Sequence, residues 1–392
     1  MTIAGNALAL LGGKPTRTRP FAASVVVDAD ERREILSVLK TREFSRFMGS
    51  PTEDIRHVLR LTSAEALRYS PQYFTFLGGR KVRSFERDFA ARFRSPFAVS
   101  MNSATSVLSA AVGALGLEPG DEIITTPLSF NATATSVLAF NAVPIFADVS
   151  TRDFCLDPER IEAKITPRTK AILIVHLLGF PADMERILEI AQKRDLKVLE
   201  DCAQAPGTLY KGRPVGTWGD IGVFSFQETK NMMTGEGGMA VTRDPELAAR
   251  LRLIRNHGES IPDEGWEDRE LVNLIGFNFR MTELTAALGV AQLRKLAKNN
   301  RVRTSNAKRL AARLKGLPGL EVPEAPAGTV FHVLPLLYDS TATGIPRVNV
   351  VHALRPSPLV AEPALARLPG PQGVQVGEYL SERRGRVVHV LS

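Results

Sequence analysis

The sequence predicts an α/β protein: a mostly parallel sheet flanked by helices, followed by a smaller C-terminal α/β domain. Three observations carry this. Between residues 98 and 242, short apolar runs alternate with helical stretches at βαβα spacing. Those runs are apolar throughout rather than at every second residue, as strands covered on both faces require. The small polar and ionisable residues fall directly after the runs, where ligands bind in open parallel sheets. The chain is divided at residues 1–255, a large domain carrying an unusual insertion at 41–76, and 256–392, a small domain.

Taken in order, residues 28–39 carry apolar positions at helical spacing behind acidic starters. Residues 41–78 contain a short amphipathic piece at 52–61 and an aromatic-rich piece at 69–76; a surface excursion and a lid or interface element both fit. Residues 82–93 read as a helix with Phe85, Phe89 and Phe93 on one apolar face, a core stripe. A strand at 98–101 leads through Asn102-Ser103-Ala104-Thr105-Ser106 into a helix reaching 117. That strand–turn–helix start presents free N–H groups and a positive dipole end at Thr105 and Ser106, which suits a phosphate; plain capping by Ser103 or Thr105 accounts for it equally. Strands are then predicted at 122–126, 143–147, 171–176 and 197–200, with a helix or helix start at 129–140 and helices at 158–165 and 184–194. A strand at 221–226, a strand at 239–242, a helix at 245–255 and a long Ala/Leu helix from 283 to 296 or on to 314 follow. Beyond 317 prolines interrupt the pattern; 330–338 and 347–354 are the ordered pieces, and 356–373 reads as irregular.

Composition narrows the function classes. Of 392 residues, 44% are hydrophobic and 23% charged, ordinary for a folded chain. The net charge is +8, but 50 basic residues are interspersed with 42 acidic ones, without a basic block or zinc-finger spacing. No nucleic acid partner is expected, and the positive excess suits phosphate-bearing small molecules. The six histidines show no metal-ligand spacing. Two cysteines make no disulfide framework and favour a reducing compartment. Residues 7–11 are apolar without a preceding basic segment, and nothing reaches membrane-spanning length, so no membrane partner and a cytoplasmic location are expected.

The chemistry centres on residues 224–238. The strand 221–226 ends at polar residues; Lys230 follows within five residues of Ser225, and Gly235-Glu236-Gly237-Gly238 lets backbone approach closely. A lysine just beyond a buried strand suits covalent chemistry, because desolvation frees its amine. Asp201 stands at the end of its own strand, 29 residues earlier. Lysine, carboxylate and phosphate cup beyond the same strand ends together suggest pyridoxal 5'-phosphate: the lysine forms an imine with the aldehyde, and the carboxylate keeps the pyridine nitrogen protonated. Asp201 alone would read as a cap. His176, also at a strand end, is open between a substrate or cofactor contact and a structural role. Cys202 reads as a small buried thiol.

These residues lie within motifs that resemble the DegT/DnrJ/EryC1/StrS family of pyridoxal-phosphate-dependent sugar aminotransferases, with the fold-type I architecture. The matching stretches are residues 10–15 (LLGGKP), 119–124 (PGDEII), 175–184 (VHLLGFPADM), 200–205 (EDCAQA), 224–238 and 276–281 (GFNFRM). The likeness covers roughly 8–40 and 77–300. It implies that Lys230 is the imine-forming lysine and moves the proton between substrate and cofactor carbons. It implies that Asp201 partners the pyridine nitrogen, Gln204 lies near the ring hydroxyl, and Thr105, Ser106 and Ser225 hold the phosphate. Phe130 falls where the family places an aromatic over the ring, and Asn278 where a residue reaches the neighbouring subunit's phosphate, implying a homodimer with shared sites. For Phe130 and Asn278, core packing and a polar helix start stand as alternatives.

The chain departs from the family pattern in Ala104, where glycine is usual, in the length of 41–76, and after about 340, where a His-Tyr-Pro motif is missing and the small domain is divergent or truncated. The expected activity is transfer of an amino group from glutamate or glutamine to a keto-sugar, nucleotide-linked, or a keto-cyclitol, in amino-sugar, antibiotic or cell-surface glycan biosynthesis. A sugar dehydratase is the alternative within the family, opposed by Lys230 where dehydratases carry histidine. A non-catalytic partner protein on the same scaffold is the alternative outside it, opposed by the intact lysine, aspartate and glutamine.

Overall fold

The computed structural model describes residues 26–47, 50–51, 74–75, 77–258, 274–354 and 386–391, and the chain forms two compact units. One comprises Val27–Asn306 with Ala325–His332; the other comprises Ala307–Glu324 and the described part of Val333–Ser392.

In the first unit, α1 (Ala29–Thr41) starts on a capping box: Asp28 accepts from the Asp30 N–H, and Glu31 accepts from the Asp28 N–H at 2.9 Å. β1 (Ser50–Pro51) and β2 (Phe74–Thr75) pair antiparallel and so tie the two ends of the 41–76 stretch. The pieces expected at 52–61 and, for the most part, 69–76 lie outside the described residues. α2 (Arg80–Phe93) begins at Gly79, which has no side chain to cap with. Its cap comes from Glu283, whose carboxylate accepts from the N–H groups of Gly79, Lys81 and Val82 at 3.0, 2.7 and 3.3 Å.

The alternation then unfolds as expected: β3 (Phe97–Met101), α3 (Ala104–Ala114), β4 (Glu122–Thr125), α4 (Ala132–Leu138), β5 (Val143–Phe146), α5 (Pro158–Ile161), β6 (Thr169–Val175), α6 (Met184–Arg194) and β7 (Lys197–Asp201). A small hairpin, β8 (Leu209–Tyr210) with β9 (Arg213–Pro214), precedes β10 (Ile221–Ser225), β11 (Gly238–Thr242), α7 (Pro245–Arg255) and α8 (Glu283–Leu314). Asp157, Asp183 and Asp244 cap α5, α6 and α7 with their side chains, and proline follows at the start of α5 and α7. Three helices are shorter than the sequence suggested, and of 129–140 only Ala132–Leu138 forms α4. α3 stops because Gly116 takes a left-handed φ of 71°. α5 gives way to a 3₁₀ turn at Glu162–Lys164, which ends where Ile165 turns to an extended conformation.

The seven-stranded sheet has the order β3-β11-β10-β7-β6-β4-β5. All pairs from β10 to β5 are parallel, and β11 runs antiparallel to both its neighbours. One reversed strand between two co-directed ones puts the carboxyl ends of β3, β4, β6, β7 and β10 and the start of β11 on one edge. The register is explicit: Ser225 pairs Gly238, which pairs Met101, and Asp201 pairs both Val175 and Val223. The pleat sends Val99, Val223 and Ala240 to one core with α3, and Ala98, Phe224, Met239 and Val241 to the other with α2. In that second core Phe85 and Phe89 meet Phe226 and Phe224 at 5.2 and 5.1 Å between ring centroids, so the aromatic stripe is core, as read from its spacing.

The second unit holds β12 (Leu320–Glu321), β13 (Leu334–Asp339), two helices, α9 (Ser340–Thr343) and α10 (Arg347–Leu354), and β14 (Arg386–Leu391), in an antiparallel sheet of order β12-β13-β14. β14 pairs along the whole of β13, from Leu334 opposite Leu391 to Asp339 opposite Arg386. The stretch 356–373 lies outside the described residues. Among the described residues no helix is long and apolar enough to cross a membrane.

Candidate active site

The carboxyl edge gathers Asn102–Ser106, Phe130, His176, Asp201, Gln204 and the Ser225–Lys230 loop around a few adjoining strand ends. Lys230 sits in a turn that its own N–H closes by donating to the Gln227 carbonyl at 2.9 Å. Thr234 and Phe226 tie the loop back, the first by donating to the Phe226 carbonyl and the second to that of Gly237. Lys230 is half-buried, and its amine has no hydrogen-bond or ion-pair partner among the described residues. Desolvation pulls its pKa below the ordinary lysine value, against the attraction of Asp201.

Asp201 is the last residue of β7, one position earlier than a reading beyond the strand, and its carboxylate is buried. The Ala203 N–H donates to one oxygen at 3.0 Å and the Thr133 hydroxyl to the other at 3.1 Å. Burial still raises its pKa above the usual carboxylate value, opposed by these two bonds and by the attraction of Lys230. A buried acid with capacity left at each oxygen is suited to a cationic ring nitrogen.

Around them, the Gln204 carbonyl oxygen accepts from the Leu178 N–H at 2.8 Å, which leaves its amide NH2 to donate outward. At the head of α3, Ser103 caps the Ser106 N–H at 3.0 Å, while the Ser106 hydroxyl donates to Asn102 Oδ1 at 2.6 Å. The N–H groups of Ala104 and Thr105 find no acceptor among the described residues. Gly238 lies directly beneath: a Cβ there would stand 2.7 Å from the Ala104 nitrogen and from Ser103. Ser225 is buried beside it, and Thr105 is exposed. Helix-start donors over a glycine form a cradle for a phosphate. Amine, carboxylate and cradle together fit pyridoxal phosphate.

Phe130 is 63% exposed, which removes the core-packing alternative and leaves its face available at the edge. Asn278 is exposed and lies five residues ahead of α8, so it does not start that helix. Its backbone bridges Asn256, and its carbonyl accepts weakly from the Asn102 amide at 3.4 Å. His176 resolves differently from the rest. Its Nδ1 accepts from the Ala182 N–H at 3.1 Å, so its Nε2 donates to Glu200 at 3.0 Å, and neither nitrogen remains for a ligand. Glu200 also takes the N–H groups of Gly216, Trp218 and Gly219, each at 2.7 Å. His176, Glu200 and Cys202 lie close enough together to suggest a metal site, but these bonds occupy the imidazole and the carboxylate. The trio is structural, and burial raises the Cys202 thiol's pKa.

Four residues escaped the sequence reading. Thr133, from the first turn of α4, props Asp201; no local pattern marks it. Asn231, Arg303 and His332 come together from three distant stretches beside Lys230.

The sequence profile of the DegT/DnrJ/EryC1/StrS aminotransferase family matches residues 62–366. The chain belongs to this family. The UDP-N-acetyl-3-dehydro-α-D-glucosamine 3-aminotransferase of Acidithiobacillus ferrooxidans is 44% identical over 261 residues, 66% of this chain and 69% of that protein. The L-glutamine:2-deoxy-scyllo-inosose aminotransferase of Streptoalloteichus tenebrarius is 36% identical over 360 residues, covering 88% of this chain and 78% of that one. Among solved structures, DesI in the presence of its TDP-sugar product superposes with a TM-score of 0.73 at 27% identity, covering 93% of this chain and 87% of that chain. This member of the DegT/DnrJ/EryC1/StrS family is a pyridoxal-phosphate-dependent aminotransferase of fold-type I, and its relatives act on sugars and cyclitols.

Proposed function

We propose that this aminotransferase moves the amino group of glutamate or glutamine to the ketone of a nucleotide-linked sugar or of a cyclitol, in amino-sugar, antibiotic or cell-surface glycan biosynthesis. The observation that carries the reading is a desolvated Lys230, without a hydrogen-bond partner among the described residues, set beside a buried Asp201 at the carboxyl edge of the sheet. The bound cofactor supplies the electron sink for the carbon that gains or loses the amino group. Lys230 holds the cofactor and carries the proton to and from the reacting carbon; Asp201 keeps the ring nitrogen protonated. Gln204 would donate to the ring hydroxyl, Phe130 would cover the ring, and Thr105, Ser106 and Ser225 would hold the phosphate. Asn278 reaches the phosphate of a second copy, so the site is completed in a homodimer. The relative that takes a UDP-sugar and the neighbour solved with a TDP-sugar favour a nucleotide-linked ketone. Both cysteines are free and buried, which accords with a cytoplasmic site of action.

The test is to reconstitute the chain with pyridoxal phosphate and reduce it with borohydride. Peptide mass analysis should find the cofactor on Lys230. L-glutamine or L-glutamate should then convert bound cofactor to the pyridoxamine form, and a panel of UDP- and TDP-keto-sugars and scyllo-inosose should return it with formation of an amine. A holoenzyme that reacts with neither donor nor ketone would refute the assignment.

A further inference from the structure

Beside Lys230 lies a second polar cluster with no role in the reading above. Asn231 donates from its amide to Asn300 Oδ1 and to the Val330 carbonyl, each at 3.0 Å. Asn300 in turn donates to the Pro206 carbonyl at 2.8 Å, so both amides are locked. Arg303, one helical turn beyond Asn300 on α8, rests its Nε against Asn231 Oδ1 at 3.4 Å and has no carboxylate within ion-pair distance among the described residues. Its half-buried guanidinium therefore has most of its fork to spare. His332 follows Val330 by two residues, and its N–H donates to the Leu178 carbonyl at 2.9 Å, on the residue that also holds Gln204. The His332 Nδ1 is buried and has no partner among the described residues. Two desolvated cations, Lys230 and Arg303, act on this imidazole and help hold it neutral, with a pKa lowered to about 3, burial being the larger cause. A half-buried arginine without a counter-charge, next to a histidine with an idle nitrogen, is half of an ion pair whose other half arrives with a ligand.

We propose that Arg303 and His332, seated on the Asn231–Asn300 pair, form the recess for the α-carboxylate of the amino donor. The proposal rests on the aminotransferase reading above. An α-carboxylate is bonded to the carbon whose amino group is transferred, so its cation must stand next to the lysine. The diphosphate of a nucleotide sugar hangs several bonds from the keto carbon and would need a cation farther out. Arg303 is tied to the residue that follows Lys230, which fits the first geometry.

The experiment compares wild-type holoenzyme with Arg303→Gln, Arg303→Lys and His332→Asn. The half-saturating concentrations of L-glutamate and L-glutamine are read from conversion of the bound cofactor. Binding of L-2-methylglutamate, which lacks the hydrogen that must be removed, gives the same comparison without turnover. Arg303→Gln should raise the donor constants about 100-fold or more, as loss of a buried charge pair does. Arg303→Lys should raise them about 10-fold, because the charge remains without the fork, and His332→Asn should fall between wild type and Arg303→Gln. The keto-substrate constant should not move. Unchanged donor constants in a variant that retains its cofactor absorbance would overturn the proposal, as would a rise in the keto-substrate constant instead. A wild type that reacts with neither donor overturns the underlying reading and this one together, whereas a reactive wild type matched by Arg303→Gln overturns this one alone.

Discussion

Glu283 offers a quantitative handle on how the site is held. Its carboxylate accepts three backbone N–H groups at the start of α2 from a position more than 200 residues away. α2 in turn packs Phe85 and Phe89 against β10, the strand that ends at Ser225. A hydrogen bond to a charged acceptor contributes roughly 1.5–3 kcal/mol. Three such bonds do not add fully, because water re-solvates part of an opened helix start, so Glu283→Ala should cost about 2–4 kcal/mol. Glu283→Gln should cost about 1 kcal/mol or less: the amide oxygen can still take Gly79 and Val82, and the neutral group escapes the burial that raises the carboxyl's pKa above its ordinary 4.5. The sign of the pH dependence follows. The folded chain holds this proton to higher pH than the unfolded chain, so the wild type loses stability relative to Glu283→Gln as pH rises through and beyond 4.5. Urea titrations of the three proteins at pH 4 and pH 7 measure both effects. Equal losses in the alanine and glutamine variants, or a wild-type advantage over glutamine that grows with pH, would refute the reasoning.

Three further outcomes are expected. Gly238→Ala places a methyl 2.7 Å from backbone atoms of Ser103 and Ala104 that cannot step aside; overpacking of this kind costs about 1–3 kcal/mol, and cofactor affinity, read by fluorescence titration, should fall. Thr133→Val removes one of the two donors to Asp201, so the acid limit of cofactor retention should move to higher pH, with about 10-fold weaker binding or more below it. His332 is held at a pKa of about 3 against an ordinary 6.5; the unfolded chain takes up a proton that the folded chain refuses, so the wild type should lose stability as pH falls from 6.5 towards 3. In melting curves His332→Asn should flatten that limb.

Much of this was legible in the chain because it is local. Strands that are apolar throughout and the Phe85–Phe89–Phe93 spacing each report their own few residues, and both reappear in the fold. So does the placement of Asp201, Gln204, Ser225 and Lys230 on one edge, since a parallel sheet leaves little choice. What sequence periodicity could not carry is contact between distant stretches. Thr133 reads as a helix residue until β7 is placed beneath it, and the gathering of Asn231, Asn300, Arg303 and His332 depends on a return of the chain at Ala325–His332. Arg386–Leu391 gives no local signal of β14 either, since its partner, β13, ends 47 residues earlier.

Glu200 and Asp201 are consecutive, and the pleat of β7 turns them to opposite faces. One is saturated by His176 and three backbone N–H groups; the other keeps room at its oxygens. A slip of a single residue in this strand would exchange them, turning Glu200's position towards Lys230 and Asp201's towards the Gly216–Gly219 turn. Length changes between Lys197 and Asp201 should therefore abolish the site even where the sheet survives, whereas conservative changes of side chain at Val198 and Leu199 should pass with little notice.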